Sequence, residues 1–262
     1  MSKRKLEDLI EIMAKLRGNP GCPWDKAQTH ESLKPYVIEE AHEVVDAIDR
    51  KSSKDLIEEL GDLLLQIVFH CRIAQERGDF DIGDVIEGIC EKMIRRHPHI
   101  FGHVTVDGTQ QVLRNWEEIK REEKDMKSEA ESMMSLPKSL PALMKAFKVQ
   151  EKAARVGFDW DDVKGALDKV YEELDELQEV YNAGNSDKIR EEMGDLLFAC
   201  VNVARFLDVE PELALNDAVK KFITRFNFVE EAAAKSDKEL KDMSLQEMEK
   251  LWQQSKNQEK KL

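Results

Sequence analysis

The chain contains the acidic stretch Glu172-Glu173-Leu174-Asp175-Glu176. After 15 intervening residues follows the stretch Glu192-Met193-Gly194-Asp195-Leu196-Leu197. Both stretches have an earlier copy at the same spacing, Glu39-Glu40-Ala41-His42-Glu43 and Glu59-Leu60-Gly61-Asp62-Leu63-Leu64. A repeat of this kind indicates a duplicated structural unit. Because the 262-residue sequence holds two copies, we predict two related domains rather than a solenoid.

The residues around these stretches follow a helical period. A helix is predicted over 166–183, where apolar residues recur at i, i+4, i+7 and i+11: Val170, Leu174, Leu177 and Tyr181. Ser186 is expected to cap the next helix, over 187–207, and Pro211 to open a third helix that ends near residue 234. A capping-box pattern, Ser244-Leu245-Gln246-Glu247, opens a last helix through Trp252. With 12 Gly, 7 Pro and almost no strand pattern, the sequence predicts an all-α fold.

The chain is expected to divide into two helical domains. We predict an N-terminal domain at 1–127, a linker at 128–140 and a C-terminal domain at 141–262. Each domain supplies four or five helices, and the helices with the acidic stretches are apolar on more than one face. Since a second subunit would bury the surplus apolar surface, we predict helical bundles that are completed by formation of a homodimer.

The composition restricts the ligands and the location of the protein. Asp and Glu number 54 against 40 Lys and Arg, so the net charge of -14 opposes general binding to nucleic acids or to anionic membranes. No apolar run approaches the roughly 18 residues of a membrane span, and the start of the chain lacks the apolar stretch of a signal peptide. The four cysteines are scattered, without metal-binding spacing. We therefore expect a cytoplasmic protein with reduced thiols.

The acidic stretches place carboxylates where a helix should be apolar. Residues three apart on a helix are neighbours, so Glu173 and Glu176 form a close pair. Glu192 and Asp195 form a second pair for the same reason. Glu173 falls within the apolar arc of its helix, and Asp195 directly precedes an apolar run. Carboxylates that face a core are costly unless they are paired or bind a metal. Converging oxygen donors suit a hard cation, so we predict a site for Mg²⁺, with Mn²⁺ as the alternative ion, rather than a merely solvated acidic surface.

The first copy keeps the same set of carboxylates and is a second candidate metal site: Glu40, Glu43, Glu59 and Asp62. A di-iron carboxylate site is excluded, because it needs Glu-x-x-His on two helices and the second copy has Asp175 where the first has His42. The alternative from another class is a non-catalytic module whose acidic helices bind a partner protein.

Together with further motifs, the acidic stretches resemble a known family. E-E-x-x-E followed by E-x-x-D is similar to the signature of the MazG family of all-α nucleoside triphosphate pyrophosphohydrolases. Three more stretches resemble that family: Gly21-Cys22-Pro23-Trp24-Asp25, Arg95-Arg96-His97-Pro98-His99-Ile100-Phe101 and Val156-Gly157-Phe158-Asp159-Trp160. The resemblance covers essentially the whole chain. It implies Mg²⁺-dependent hydrolysis of nucleoside triphosphates, NTP or dNTP, to the monophosphate and pyrophosphate, in control of the nucleotide pool.

The resemblance also implies site residues in the second copy. The metal ligands and catalytic residues would be Glu173, Glu176, Glu192 and Asp195, and the nucleotide contacts would be Lys221, Arg225, Trp252 and Lys256. Because every base can stack on a tryptophan, we expect broad base specificity. The family is compatible with removal of damaged nucleotides and with lowering of nucleotide levels in starvation, and the sequence does not choose between them.

The two copies are expected to differ in activity. Lys169 and Lys188 each precede a carboxylate of the second copy by one helical turn, so both can face the site and contact nucleotide. The corresponding residues of the first copy are Tyr36 and Asp55. Loss of two cations and gain of an anion beside a triphosphate would weaken binding, unless other cations of the first copy compensate. We predict that the C-terminal domain is catalytic, as the resemblance also implies, and that the N-terminal domain is structural or regulatory.

Overall fold

The computed structural model describes residues 3–236 and 238–259. Contacts divide the chain into two compact units, residues 1–120 and 121–262, and each unit is described by itself. Within the described residues the regular secondary structure is helical throughout and no strand occurs, so the predicted all-α fold is confirmed. None of the described helices combines the length and the apolar character needed to cross a membrane. The extreme ends of the predicted domains, residues 1, 2 and 260–262, lie outside the described residues.

The first unit is built on a long helical hairpin. Its helices are α1 (Leu6–Arg17), α2 (Pro23–Ala27), α3 (His30–Asp49), α4 (Ser53–Arg77), α5 (Ile82–Arg96), α6 (Pro98–Phe101) and α7 (Gly108–Glu123), the last of which runs past the boundary of the unit. The hairpin consists of α3 and α4, and α1 and α5 pack against α4. The core joins Met13 of α1, Leu33 of α3, and Val68, Phe69 and Ile73 of α4. Burial of these large side chains fixes the hairpin on α1.

The second unit repeats this arrangement. Its helices are α8 (Glu129–Met134), α9 (Ala142–Arg155), α10 (Val163–Ala183), α11 (Ser186–Phe206), α12 (Pro211–Lys235) and α13 (Leu245–Glu259), with a 3₁₀ turn at Leu240–Asp242. The hairpin consists of α10 and α11, α9 packs on α11, and α12 packs on α9, α11 and α13. In chain order, α9 to α13 therefore correspond to α1, α3, α4, α5 and α7. The duplication that the acidic stretches predicted is a duplication of helices.

The helix ends follow their capping residues. The predicted helix over 166–183 begins earlier, at Val163, because the Asp162 carboxylate accepts hydrogen bonds from the backbone N–H groups of Lys164 (2.9 Å) and Gly165 (3.3 Å). The prediction that Ser186 caps the next helix is wrong. Asn185 is the cap, with its side-chain oxygen 3.2 Å from the backbone nitrogen of Lys188, and Ser186 is the first helical residue.

The predicted capping box at the start of α13 is confirmed. The Glu247 carboxylate accepts a hydrogen bond from the backbone N–H of Ser244 at 2.9 Å, and the Glu247 N–H donates to the Ser244 hydroxyl at 3.3 Å. These bonds satisfy N–H groups that the first helical turn leaves unpaired.

The segment predicted as a linker, 128–140, contains a short helix. This helix, α8, packs on α9, and its Ser132 is buried and accepts a hydrogen bond of 2.6 Å from the Lys152 ammonium group. The unit boundary lies after Lys120, so the whole segment belongs to the second unit. The ranges 1–127, 128–140 and 141–262 stay a prediction about independent domains.

Candidate metal and nucleotide site

The α10–α11 hairpin positions the acidic residues of the second unit. Gly184 ends α10 in the left-handed conformation, with φ of 69°, and Asn185 caps α11, so two residues reverse the chain. So short a connection makes the two helices antiparallel neighbours. The second acidic stretch, on α11, is thereby folded back beside the first, on α10.

Three of the four predicted ligands of the second unit come together. One carboxylate oxygen from each of Glu173, Glu192 and Asp195 lies within 4.8 Å of the other two. Glu173 is 5% exposed, whereas its neighbour Glu172 faces solvent, as the helical period predicted. Glu176 lies outside this group of three, which we call the triad, and its side chain is exposed.

Burial and neighbouring negative charges both act on Glu192 of the triad. Burial raises the pKa of Glu192 above its ordinary value, and the negative charge of Glu176 raises it further. Glu191, Asp195 and Glu173 add smaller contributions in the same direction. Glu176 is therefore close enough to act on the triad although it is not part of it. So much negative charge in one place calls for a cation.

Lys169 supplies the first positive charge at this site. Its ammonium nitrogen lies 2.6 Å from an oxygen of Glu173 and 2.9 Å from an oxygen of Glu172. The hydrogen bond to Glu172, followed by that to Glu173, raises the pKa of Lys169 well above its usual value. Lys188, predicted to face the site as well, has an exposed side chain, and in the described part of the chain no ion pair joins it to the triad. Its backbone N–H serves the cap of α11.

The donor set fits a divalent metal ion. Carboxylate oxygens are the ligands that Mg²⁺ and Mn²⁺ prefer. Oxygens on opposite sides of an octahedral Mg²⁺ are about 4.2 Å apart, so a triad within 4.8 Å needs small side-chain movements to hold the ion. Glu173, Glu192 and Asp195 would be the protein ligands, and the remaining coordination positions would be open to water or phosphate.

The predicted nucleotide contacts lie on another pair of helices. The Arg225 guanidinium of α12 stands 5.8 Å from the centre of the Trp252 ring of α13, and the Phe222 ring lies 5.1 Å from the same ring. Lys221 is exposed on α12, and Lys256 is partly exposed on α13. Among the described residues no ion pair or hydrogen bond connects Lys221 or Lys256 with the triad. The two groups are linked through α11, which packs on both α10 and α12.

The first unit has its own carboxylate cluster with a different composition. Here Glu40, Glu43 and Glu59 lie within 4.8 Å of one another, and Asp62 is outside the cluster. Burial, and then the charge of Asp62, raises the pKa of Glu40. The first unit also repeats the contact between an arginine and a tryptophan, with Arg96 5.2 Å from the centre of the Trp116 ring.

Sequence reasoning missed two residues of the first cluster. Arg50 lies 3.1 Å from Asp55 and 4.0 Å from Glu59. It thus provides a positive charge near the first cluster, at a position where the second unit has Ala183. Gln66 is buried beside Glu40, and its side-chain oxygen has no hydrogen-bond partner among the described residues. Gln66 follows Asp62 by one turn, which could have revealed it. Arg50 stands near the turn between α3 and α4, where no periodic pattern predicts a contact.

The raised pKa of Glu192 leads to a testable prediction about stability. The native state holds the Glu192 proton more tightly than the unfolded chain, so this carboxylate destabilises the fold once pH rises above its ordinary pKa of 4.5. In metal-free protein at pH 7, Glu192→Gln should raise the melting temperature relative to wild type. The difference should disappear as pH falls below 4.5, where both side chains are neutral. The exposed Glu179→Gln is the matched control for loss of a charge on the hairpin, and an equal gain in that variant would contradict the explanation.

The chain is similar to known proteins over nearly its full length. The model of the MazG nucleotide pyrophosphohydrolase domain matches residues 28–101 and 162–231. A relative from Thermotoga maritima, named nucleoside triphosphate pyrophosphohydrolase/pyrophosphatase MazG, is 46% identical over 95% of this chain and 95% of its own length. A nucleoside triphosphate pyrophosphohydrolase of Escherichia coli K12 is 46% identical over 97% of this chain and 98% of its own length. The uncharacterised protein YabN of Bacillus subtilis is 52% identical over 95% of this chain and 51% of its own length.

The two matched ranges contain both carboxylate clusters, one range in each unit. The match therefore covers the repeated hairpin twice, as the duplicated acidic stretches predicted. This chain belongs to the MazG family of nucleotide pyrophosphohydrolases.

Proposed function

We propose that the second unit hydrolyses nucleoside triphosphates to the monophosphate and pyrophosphate with the help of Mg²⁺. The observation that carries this proposal is the triad of Glu173, Glu192 and Asp195 with Lys169 beside it. It combines a donor set for a hard cation with a positive charge that phosphate oxygens can meet. The two full-length relatives named above as pyrophosphohydrolases support the same reaction.

The residues divide the chemistry between them. A bound Mg²⁺ supplies neutralisation of phosphate charge and lowers the pKa of a coordinated water. In the reaction, a water oxygen attacks the α-phosphorus, the bond to the oxygen that bridges the α- and β-phosphates breaks, and pyrophosphate leaves. Glu176 is suited to accept the water's proton, because it lies outside the triad yet close enough to raise the pKa of Glu192. Lys169, which contacts Glu173 in this structure, would be available to the phosphates if a metal ion were bound to that carboxylate.

The remaining positive charges serve the triphosphate. Lys221 and Arg225 are one turn apart on α12 and can neutralise the departing pyrophosphate, with Lys188 and Lys256 as further contacts. The resemblance suggests the Trp252 ring as a contact for the base, and since every base has a π-face we propose broad specificity among NTPs and dNTPs. Control of the nucleotide pool in the cytoplasm is the proposed role.

The first unit is proposed to be structural or regulatory. Tyr36, which replaces Lys169, packs edge-on against Trp24 at 6.2 Å and has no charge to offer phosphate. Arg50 compensates part of the lost positive charge, but Asp55 shares it. The cluster of Glu40, Glu43 and Glu59 is the proposed second metal site, with Asp62 nearby.

A homodimer is proposed because both hairpins expose large apolar side chains. On the α10–α11 hairpin, Leu174, Tyr181 and Leu197 are 48%, 71% and 51% exposed, although Leu174 and Tyr181 belong to the apolar stripe that the sequence predicts. The α3–α4 hairpin exposes a corresponding set: Ile38, Ile48, Ile57, Leu60, Leu64 and Ile67. Exposed apolar side chains that cluster on a helical face are typical of sites of protein association.

Pyrophosphate release tests the reaction itself. Wild-type protein should convert a mixed pool of triphosphates to monophosphates and pyrophosphate when Mg²⁺ is added, and chelation should stop it. Glu173→Gln or Asp195→Asn should lower kcat/KM by at least about a hundredfold with unchanged helicity, since each removes a metal ligand. Glu179→Gln, at an exposed position of the same helix outside the triad, is the matched control. Absence of both turnover and Mg²⁺-dependent thermal stabilisation in wild type would favour the alternative of a protein-binding module.

The inequality of the units is tested with paired double variants in the full-length chain. Glu173→Ala with Glu176→Ala should abolish turnover, whereas Glu40→Ala with Glu43→Ala should change kcat/KM by less than about threefold. The measurement is steady-state pyrophosphate release. Loss of activity in the first-unit pair, with survival in the second-unit pair, would reverse the assignment.

Light scattering tests the homodimer. The wild-type chain should have twice the monomer mass at micromolar concentration, and Leu197→Glu should reduce it to the monomer because a charge would be buried in the interface. Leu245→Glu, at a 78% exposed position at the start of α13, is the matched control. A monomeric wild-type protein would remove the proposal.

A further inference from the structure

Trp160 occupies an unusual position at the start of α10, the helix that carries Glu173. It precedes α10 in the loop that ends at the Asp162 cap, and its indole lies directly on Gly165 of the first turn. A Cβ atom built on Gly165 would stand 3.0–3.1 Å from three Trp160 side-chain atoms, so a larger residue would force the ring to move. Even so, Trp160 is 49% exposed. One side of this tryptophan is fixed on the helix and the rest is open.

The loop that carries Trp160 is anchored to both helices of the hairpin. Asp159 forms an ion pair with Arg205 of α11 and accepts a hydrogen bond of 2.9 Å from the Trp160 backbone N–H. Asp162 caps α10. An aromatic ring held in this way loses little conformational freedom when a ligand stacks on it, which favours binding.

The ring also stands in line with the site. Gly165, Lys169 and Glu173 are four residues apart in succession, so they lie along one face of α10. The axial rise from Gly165 to Glu173 is about 12 Å, and Lys169 lies halfway. An extended nucleoside triphosphate is longer than this distance. Its phosphates can therefore reach Glu173 and Lys169 while its base reaches Trp160.

Trp252, the tryptophan that the family resemblance suggests for the base, differs from Trp160 in its contacts. Its ring already contacts Phe222 and the Arg225 guanidinium. In the part of the chain that the structure describes, Trp160 has no contact with another ring or with a cation. The first unit differs as well, because its corresponding Trp24 packs against Tyr36 and Phe69.

We propose that Trp160, rather than Trp252, is the stacking platform for the nucleobase of the substrate and thereby a residue that determines specificity. The proposal rests on the proposed function of the triad. Stacking on an indole face accepts purines and pyrimidines alike, with the larger rings favoured by their larger area.

The test compares substrates with and without a base. Trp160→Ala should raise KM for ATP and GTP about tenfold, within the contribution that base–aromatic stacking makes, and raise it less for CTP and UTP. kcat should change little, because the ring does not touch the reacting phosphates. The inhibition constant of inorganic triphosphate, which has no base, should not change. Lys169→Ala should weaken both classes of ligand, and Trp160→Phe should restore most of the affinity.

A second variant moves the ring without removing it. Gly165→Ala should raise KM for ATP in the same direction as Trp160→Ala, since the new Cβ displaces the indole. Gly88→Ala on α5, where a Cβ meets nothing within 4 Å, is the matched control and should leave KM unchanged.

Three outcomes would overturn the proposal: an unchanged KM in Trp160→Ala, an equal loss of affinity for inorganic triphosphate, or a change of oligomeric mass in light scattering, which would make Trp160 a subunit contact. Calorimetric titration with a non-hydrolysable ATP analogue separates this proposal from the proposed function. If the wild-type chain releases no pyrophosphate but binds the analogue more tightly than Trp160→Ala does, the proposed reaction is wrong and the role of Trp160 in binding the base is supported.

Discussion

Carboxylates held together on a helical hairpin impose the main constraint on this protein. Glu173, Glu192 and Asp195 bring oxygens within 4.8 Å of one another, and Glu173 is almost fully buried. Like charges at such separations repel, and burial adds a desolvation cost at Glu173 and Glu192. The fold must supply this energy from apolar packing elsewhere. The helices that pack on α11, with buried Val201 and Val229, are part of that supply. A metal ion bound as proposed would remove much of this cost.

The two units answer the same constraint differently. In the second unit, Lys169 lies against Glu173 from within the same helix, one turn away. In the first unit, that position is a tyrosine packed on Trp24, and Arg50 near the turn between the helices approaches Glu59 instead. Gln66 lies beside Glu40 where the second unit has Ala199. The duplicated scaffold thus keeps the carboxylates and changes their compensation. Lys169 contacts the buried Glu173 directly, at 2.6 Å, whereas Arg50 lies nearer to Asp55, at 3.1 Å, than to Glu59, at 4.0 Å.

Local patterns in the sequence were sufficient for the helices but not for all of their contacts. The period of apolar residues predicted the helical hairpins, and the spacing of Ser244 and Glu247 predicted a capping box that the hydrogen bonds confirm. The burial of Glu173 followed from its position on the helical arc. Which three of four carboxylates approach one another, and the packing of Trp160 on Gly165, depend on side-chain rotamers and on a loop path. Neither has a period in the sequence, because contacts between elements are set by tertiary packing.

The exposed apolar side chains of the α10–α11 hairpin include residues that are close to the triad in the sequence. Leu174 adjoins Glu173 along α10, and Leu197 follows Asp195 by two residues on α11, yet both leucines are about half exposed. A second copy that covers these leucines would remove water from the neighbourhood of the triad. The lower local dielectric would strengthen the attraction between bound cation, Lys169 and phosphate, and would raise the cost of leaving the carboxylates without a cation. In such a dimer, the surfaces that bury apolar area on association would also change the electrostatic interactions within the site. Subunit association and metal binding should therefore stabilise one another rather than act as independent properties of the fold.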